Sequence, residues 1–350
     1  MNNETRKETQ VLPKDVRYVG ADDLTLPLFE NQYPVQPMGV SYNSYLILDE
    51  KIAVMDSVDA RAADEWLAKL AHELDGRSPD YLVISHMEPD HSGSILRLAE
   101  KYQEMKLVGN TKTFTMLRQF FGAKAPTDDR LLEVGEGETL PLGAHTLHFM
   151  LAPMVHWPEV MVAYEETEKI LFSADAFGRF GSLGRTANAP WAPQARRYYY
   201  NIVGKYGAQV QALLKKASAL EIETICPLHG PVLTGEALGE ALRLYDLWSR
   251  WQSESPDDIL LAHASIHGNT ARAAELLKQK LEVKGARVTL CDLTTTEVSY
   301  AVANAFYCGK LVLACSTYDG GLFPPMEEFL SHLQAKGFRD RSVGLMENGS

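Results

Sequence analysis

The stretch His86-Met87-Glu88-Pro89-Asp90-His91 constrains this chain more than any other. It follows the apolar run Tyr81-Leu82-Val83-Ile84-Ser85, bounded by Pro79 and Pro89, which reads as a buried strand running out into a loop. Four potential metal ligands, His86, Glu88, Asp90 and His91, fall within six residues. A loop at the carboxyl end of a strand can aim several side chains at one point, because regular sheet geometry no longer sends neighbours to opposite faces. From Gly93 onward, Ile95, Leu96, Leu98 and Ala99 set a helical pattern. Taken alone, the six residues are either a solvated acidic loop or half of a two-metal site.

Three later segments decide between these. Residues 152–159 leave a β run and carry His156 before Trp157-Pro158. Residues 170–177 are a buried strand ending at Asp175-Ala176-Phe177, and residues 225–231 are a strand ending in His229-Gly230-Pro231. Singly, His156 reads as a structural histidine and Asp175 as a turn residue. Together they repeat one device, a β run ending in His or Asp beside Gly or Pro. Imidazoles suit zinc, whereas added carboxylates make a site harder and favour iron or manganese.

Around these loops the pattern alternates strand and helix. Residues 16–18, 40–48 and 52–56 read as strands, 61–74 and 111–121 as amphipathic helices, and 131–151 as β-hairpins punctuated by glycines. Residues 196–219 and 236–250 read as helices, with Tyr198, Tyr199 and Tyr200 near the start of the first. One of these tyrosines is a candidate hydrogen-bond donor toward the metal pocket. The polar stretch 253–258, Ser-Glu-Ser-Pro-Asp-Asp, reads as the linker between a first domain, 1–252, and a second, 257–350.

Beyond it the pattern is cleanly β-α-β, as in an open parallel sheet. Between its first strand and helix stand Ser265, Ile266, His267, Gly268, Asn269 and Thr270. Small and hydroxyl residues there let backbone N–H groups converge on a phosphate at a helix N-terminus. A second loop, Ser316, Thr317, Tyr318, Asp319, Gly320 and Gly321, follows the strand 311–315, and Glu347, Asn348, Gly349 and Ser350 would begin a third.

The first stretch resembles the His-x-His-x-Asp-His of metallo-β-lactamase-fold hydrolases, with Glu88 in place of the second His. That exchange, the Trp157-Pro158 pair and the Asp175-Ala176-Phe177 run resemble the flavodiiron proteins, and the likeness covers essentially the whole chain. It implies a metallo-β-lactamase αβ/βα sandwich followed by a flavodoxin-like, doubly wound parallel sheet. It also implies two non-haem irons: one held by His86, Glu88 and His156, the other by Asp90, His91 and His229, with Asp175 bridging. The loops at 265–270, 316–321 and 347–350 would take FMN. The expected reaction is reduction of O2 to water, of NO to N2O, or both. Electrons would come from an external donor such as a rubredoxin, and the working unit would be a head-to-tail homodimer or a dimer of dimers. Flavodoxin domains continue with another helix, strand and helix where this chain stops, so a fragment with an incomplete flavin site is expected.

Composition narrows the alternatives. The net charge of −12 and the absence of a Lys/Arg cluster argue against a nucleic-acid partner. No apolar run approaches a membrane span and the amino terminus lacks a signal region. The cysteines, Cys226, Cys291, Cys308 and Cys315, form no Cys-x-x-Cys pair, so no rubredoxin is built in, and they suit a reducing cytoplasm. Two other readings stay open: a dinuclear zinc hydrolase with an appended flavodoxin-like domain, and a non-enzymatic electron carrier or gas sensor.

Overall fold

A computed structural model describes residues 12–347. Asn348, Gly349 and Ser350 of the expected third flavin loop lie outside the described residues. The chain divides into two compact units, Met1–Ala195 with Ala212–Leu242, and Arg196–Gln211 with Arg243–Ser350. Residues 196–211 and 243–252, which the sequence reading assigned to the first domain, therefore belong to the second unit.

The first unit is built on two six-stranded sheets. One runs Val16–Tyr18, Tyr45–Ile47, Ala53–Met55, Tyr81–Val83, Lys106–Gly109, Leu131–Glu133 in spatial order. Its last four strands are parallel. The other runs Thr139–Pro141, Thr146–Leu151, Met161–Glu165, Ile170–Phe172, Thr224–Cys226, Leu233–Thr234, antiparallel except where Ile170–Phe172 meets Thr224–Cys226. The core draws on both: Tyr45, Ile47, Met55, Val83 and Val108 from the first sheet, and Leu147, Phe149, Met161, Ala163 and Phe172 from the second. Leu147 with Phe149, and Met161 with Ala163, show the two-residue alternation of strands with one face in a core. Helix Ala63–Leu74 buries Trp66, Leu70 and Leu74, one residue per turn along a single stripe. This is the αβ/βα sandwich that the family resemblance implies.

Three local expectations change. The strand expected over 40–48 is two, Val40–Tyr42 and Tyr45–Ile47. Between them Asn43 turns inward, its amide donating to the Pro227 and Gly230 carbonyls, and Ser44 donates to the Asp56 carbonyl. Leu131–Glu133 is not part of a hairpin. It pairs parallel to Lys106–Gly109 after a crossover through helix Thr111–Phe121, as parallel strands require. The helix expected over 196–219 is interrupted: Trp191–Tyr198 passes into a π-helical turn, Tyr199–Val203, and helix resumes at Gly207–Ala217. The wide turn keeps Tyr199 and Tyr200 buried, where Tyr199 meets Tyr245 edge-on and Trp248 at a tilt, and Tyr200 stacks on Phe306.

The second unit holds a parallel sheet in the order Val288–Asp292, Ser255–Ala264, Cys308–Cys315, Ser342–Met346. Leu260, Leu261, Ala262 and Ala264 of the central strand are buried on both faces, as expected of a strand covered by helices on each side. The expected linker is corrected here, because Ser255–Asp258 open that central strand rather than precede it. Ser255 pairs with Cys308, and a register shift before Ile259 accommodates Pro256, which has no N–H to offer the ladder. A Cβ at Gly309 would stand 2.1 Å from the Pro256 oxygen, so only glycine permits this approach.

Candidate functional site

The carboxyl ends of the strands gather the predicted metal ligands in the first unit. The loop after Tyr81–Val83 carries His86 and Glu88 into the short helix Pro89–Ser92, which bears Asp90 and His91. His156 follows Thr146–Leu151, Asp175 follows Ile170–Phe172 and His229 follows Thr224–Cys226. The parallel pairing of those last two strands brings Asp175 and His229 to the same edge. Hydrogen bonds from Leu228 N to Ala174 O and from Asn43 N to Leu228 O, 2.9 and 2.8 Å, tie their loops together. Several supporting positions take positive φ without being glycine, among them Asp56, Met154, Ala174 and Phe177. Such backbone persists only where its surroundings over-determine it, and it concentrates at functional sites.

The seven side chains form two adjoining groups, His86, Glu88, His156 and Asp175, and Asp90, His91 and His229. In the first, His156 Nε2 lies 3.1 Å from Glu88 Oε2 and 3.0 Å from Asp175 Oδ2, and His86 Nε2 lies 3.2 and 3.4 Å from the same two atoms. In the second, His91 Nε2 and His229 Nε2 each lie 3.3 Å from Asp90 Oδ2 and face each other at 3.1 Å. Asp175 Oδ1 reaches this second group, 3.3 Å from His91 Nε2 and 3.6 Å from His229 Nε2. The two oxygens of Asp175 thus turn to different groups.

The donor set fits a pair of cations. Metal–nitrogen bonds of about 2.1 Å at right angles put neighbouring donors ~3 Å apart, the spacing seen here. Two imidazole nitrogens facing at 3.1 Å are poorly served by one shared proton, but both can point at a metal. Both Asp90 oxygens and Asp175 Oδ1 are buried without a hydrogen bond among the described residues. Burial opposes ionisation of Glu88 and Asp175, yet the surrounding histidines drive both well below the usual carboxylate range. Burial likewise opposes charge on His156, yet hydrogen bonds to Asp175 and Glu88 push it up to about 9. The carboxylates demand positive charge in their midst, supplied by protons or by metal ions.

Residues that the sequence reading passed over hold these ligands. Glu159 Oε1 accepts from His86 Nδ1 and from Met87 N, both at 2.8 Å. Burial would raise the Glu159 pKa, but the His86 hydrogen bond and charge outweigh it and lower it. His229 Nδ1 donates to the Ser41 carbonyl at 2.7 Å. Asp56 accepts from Ser85 N at 2.7 Å, and burial pushes its carboxyl up to about 6. A cavity of about 640 Å³ opens onto the ligands past Phe29, Tyr42 and Trp157. On its rim Glu30 is exposed as a residue but brings its carboxyl beside Glu88, where desolvation and the Glu88 charge raise it to about 7. The only sequence cue for Glu159 is its place directly after His156-Trp157-Pro158. Ser41 meets His229 through its backbone carbonyl, while its hydroxyl accepts from Gly230 N at 2.7 Å.

In the second unit Ser265, Ile266, His267 and Gly268 link strand Ser255–Ala264 to helix Asn269–Val283. Gly268 caps the helix with φ +82°, a conformation suited to glycine. Ser265 Oγ is buried with no hydrogen bond among the described residues. Thr270 Oγ1 lies 3.0 Å from Ser316 Oγ, so the first and second loops meet. The second loop is a hairpin, Thr317–Tyr318 with Gly321–Leu322, turned by Asp319 and Gly320, both at positive φ. It leaves Tyr318 and Leu322 exposed. A donor-rich helix start with a buried unpartnered hydroxyl, beside an exposed aromatic and aliphatic pair, fits a phosphorylated planar cofactor. Glu347 follows the edge strand Ser342–Met346.

Comparison with known proteins agrees with this geometry. The family profile described as ODP family beta lactamase matches residues 40–230. The rubredoxin-oxygen oxidoreductase of Megalodesulfovibrio gigas is 29% identical over 336 residues, 93% of this chain and 81% of that protein. The anaerobic nitric oxide reductase flavorubredoxin of Vibrio vulnificus is 28% identical over 342 residues, 94% and 67% of the two chains. The crystal structure of the flavodiiron protein from Giardia intestinalis matches with a TM-score of 0.89 at 28% identity, over 95% of this chain and 82% of that one.

Proposed function

This chain belongs to the ODP family of beta-lactamase-fold proteins, the flavodiiron proteins, and we propose that it is an oxidoreductase reducing O2 to water, NO to N2O, or both. The observation that carries the reading is Asp175, whose two oxygens face two donor groups of matching composition, each with two imidazoles and one further carboxylate. His86, Glu88 and His156 would hold one iron, Asp90, His91 and His229 the other, with Asp175 between them. Bound there, an iron pair would supply electrons to a diatomic substrate. Around it the chain fixes His86 and His229 through their outer nitrogens, and the cavity lined by Phe29, Tyr42 and Trp157 limits what can enter.

The loops at Ser265–Thr270 and Ser316–Gly321 would hold FMN, with Glu347 and the residues after it closing the site. Electrons would reach the flavin from an external donor such as a rubredoxin. A head-to-tail dimer, in which the flavin of one chain serves the metals of its partner, and a cytoplasmic location complete the proposal. No helix among the described residues is long and apolar enough to cross a membrane.

Metal and flavin analysis of the purified protein, paired with anaerobic NO and O2 consumption, tests this. About two irons per chain, bound FMN and consumption of either gas are expected. Two zinc ions per chain in active protein, without iron, would overturn the redox reading.

A further inference from the structure

One carboxylate at the mouth of the metal cavity sits on strained backbone. Strands Leu28–Phe29 and Tyr33–Pro34 pair as a hairpin. Gln32 N donates to the Phe29 carbonyl at 3.0 Å and closes a turn with Glu30 and Asn31 at its centre, at φ 49° and 54°. A turn with two positive φ values favours Asn, Asp and Gly, so Glu is a disfavoured choice for its first central position. The hairpin is anchored at the site itself. The Phe29 ring packs edge-on against His229 and Phe180, with centroids 5.3 and 5.6 Å away. Glu30, next in the chain, is exposed on the cavity and brings its carboxyl beside Glu88. Strain of this kind concentrates where a side chain is needed for function.

The charges around the cavity point to that function. Four carboxylates line it, those of Glu30, Asp59, Glu88 and Asp90, against one cationic side chain, Arg61. Arg61 is engaged by Asp59, with Nε and Nη2 3.0 and 3.1 Å from its two oxygens, and reaches Asp23 at 3.6 Å. Glu88 and Asp90 face the metal-binding imidazoles. Of the four, Glu30 alone forms no ion pair among the described residues. Burial, then the Glu88 charge, oppose its ionisation, and the His156 charge favours it. Cations held by Glu88 and Asp90 would cancel the opposing charges and leave Glu30 an anion.

We infer that Glu30 is a specificity-determining residue, whose carboxylate at the cavity mouth weakens the binding of small anions to the metal centre and leaves neutral diatomics unhindered. This rests on the diiron reading above. O2 and NO bring no charge past Glu30, whereas an iron-binding anion such as azide or nitrite meets a like charge there.

The test is azide binding to the oxidised, iron-loaded protein, followed in its optical spectrum, with NO binding to the reduced protein as the neutral control. Wild type is compared with Glu30→Gln, which keeps the shape, and Glu30→Asn, which also suits the left-handed turn. Metal analysis of wild type comes first, because a protein without iron defeats the diiron reading and this inference with it. With iron present, both variants should bind azide about tenfold more tightly, as removal of one nearby like charge predicts, with NO affinity unchanged. Unchanged azide affinity overturns the inference and leaves the diiron reading intact. Azide and NO affinities that rise together do the same, since they show that Glu30 obstructs by size rather than charge. If one variant fails to hold iron, the other decides. Loss of iron from both makes Glu30 a metal ligand and overturns its role as a charge at the mouth.

Discussion

Asp175 Oδ2 lies 3.0 Å from His156 Nε2, while the second oxygen of that carboxylate faces away, toward His91. Asp175 is fully buried and sits between the Ala174 and Phe177 positions of positive φ. Its orientation is set by the turn that ends Ile170–Phe172 rather than by contact with solvent. A side chain held this way can serve two cations at once, which His156 cannot.

Asp175→Asn should therefore cost more metal than His156→Ala. The amide removes a charge that both groups share and bridges poorly. Loss of His156 leaves one group with His86, Glu88 and Asp175 and the other untouched. Replacement of a partner behind a ligand commonly costs ~10–100-fold in affinity or activity, and a shared inner ligand should cost more. Iron occupancy of the two variants measures this. Retention of both irons in Asp175→Asn, with loss in His156→Ala, would remove Asp175 from the bridging role.

The phosphate loop gives a prediction about FMN. At Gly268 a Cβ would meet nothing within 4 Å, so substitution there acts through φ alone. Gly268→Val should cost about 1–2 kcal/mol for the left-handed conformation. It should also weaken FMN binding roughly tenfold, the affinity equivalent of 1.4 kcal/mol. Quenching of FMN fluorescence reads the affinity and thermal unfolding reads the stability. Lost stability with unchanged FMN affinity would show that this turn does not cradle the phosphate.

Cys308 offers a test of pH. Burial first, and then the Asp258 charge, push its thiol up to about 11 from an ordinary value of 9.0. The folded thiol keeps its proton where the unfolded one loses it. The stability it contributes is full below about pH 9 and is lost as pH rises through about 11. At pH 8 iodoacetamide should label half-buried Cys315 and spare buried Cys226, Cys291 and Cys308 until the protein unfolds. Peptide mapping after labelling shows which sites react. Fast labelling of Cys308 in the folded protein would contradict its burial.

Most of the fold and the inner ligands could be read from the chain because both depend on local signals. His86, His156, Asp175 and His229 each end a β run, and that position is visible in hydrophobic patterning. What was misread depends on distant partners. Leu131–Glu133 has the alternation of a hairpin strand, and only its pairing with Lys106–Gly109 assigns it to the other sheet. Ser255–Asp258 has the composition of a linker, yet Gly309 lets Pro256 approach closely enough for a strand to form. Glu159 lies 73 residues from His86, so its hydrogen bond to the ring is set by the tertiary fold.

The proposed dimer is tested by complementation. All seven metal-facing side chains stand at carboxyl ends of strands in the first unit, and the flavin loops stand at carboxyl ends of strands in the second. Electron transfer needs one such face to meet the other. In the proposed dimer a twofold partner supplies that meeting, and twofold dimers are the commonest oligomers. A chain carrying Glu88→Ala lacks a working metal group, and a chain carrying Ser265→Glu with Thr270→Glu repels the flavin phosphate. Each should be inactive alone in gas consumption driven by a reduced donor. After subunit exchange, the mixed dimer places the intact flavin of the first chain against the intact metals of the second, so activity should return at one of its two centres. If mixed dimers form, as shown by differently tagged chains purifying together, and activity stays absent, electrons pass within one chain and the head-to-tail arrangement is excluded.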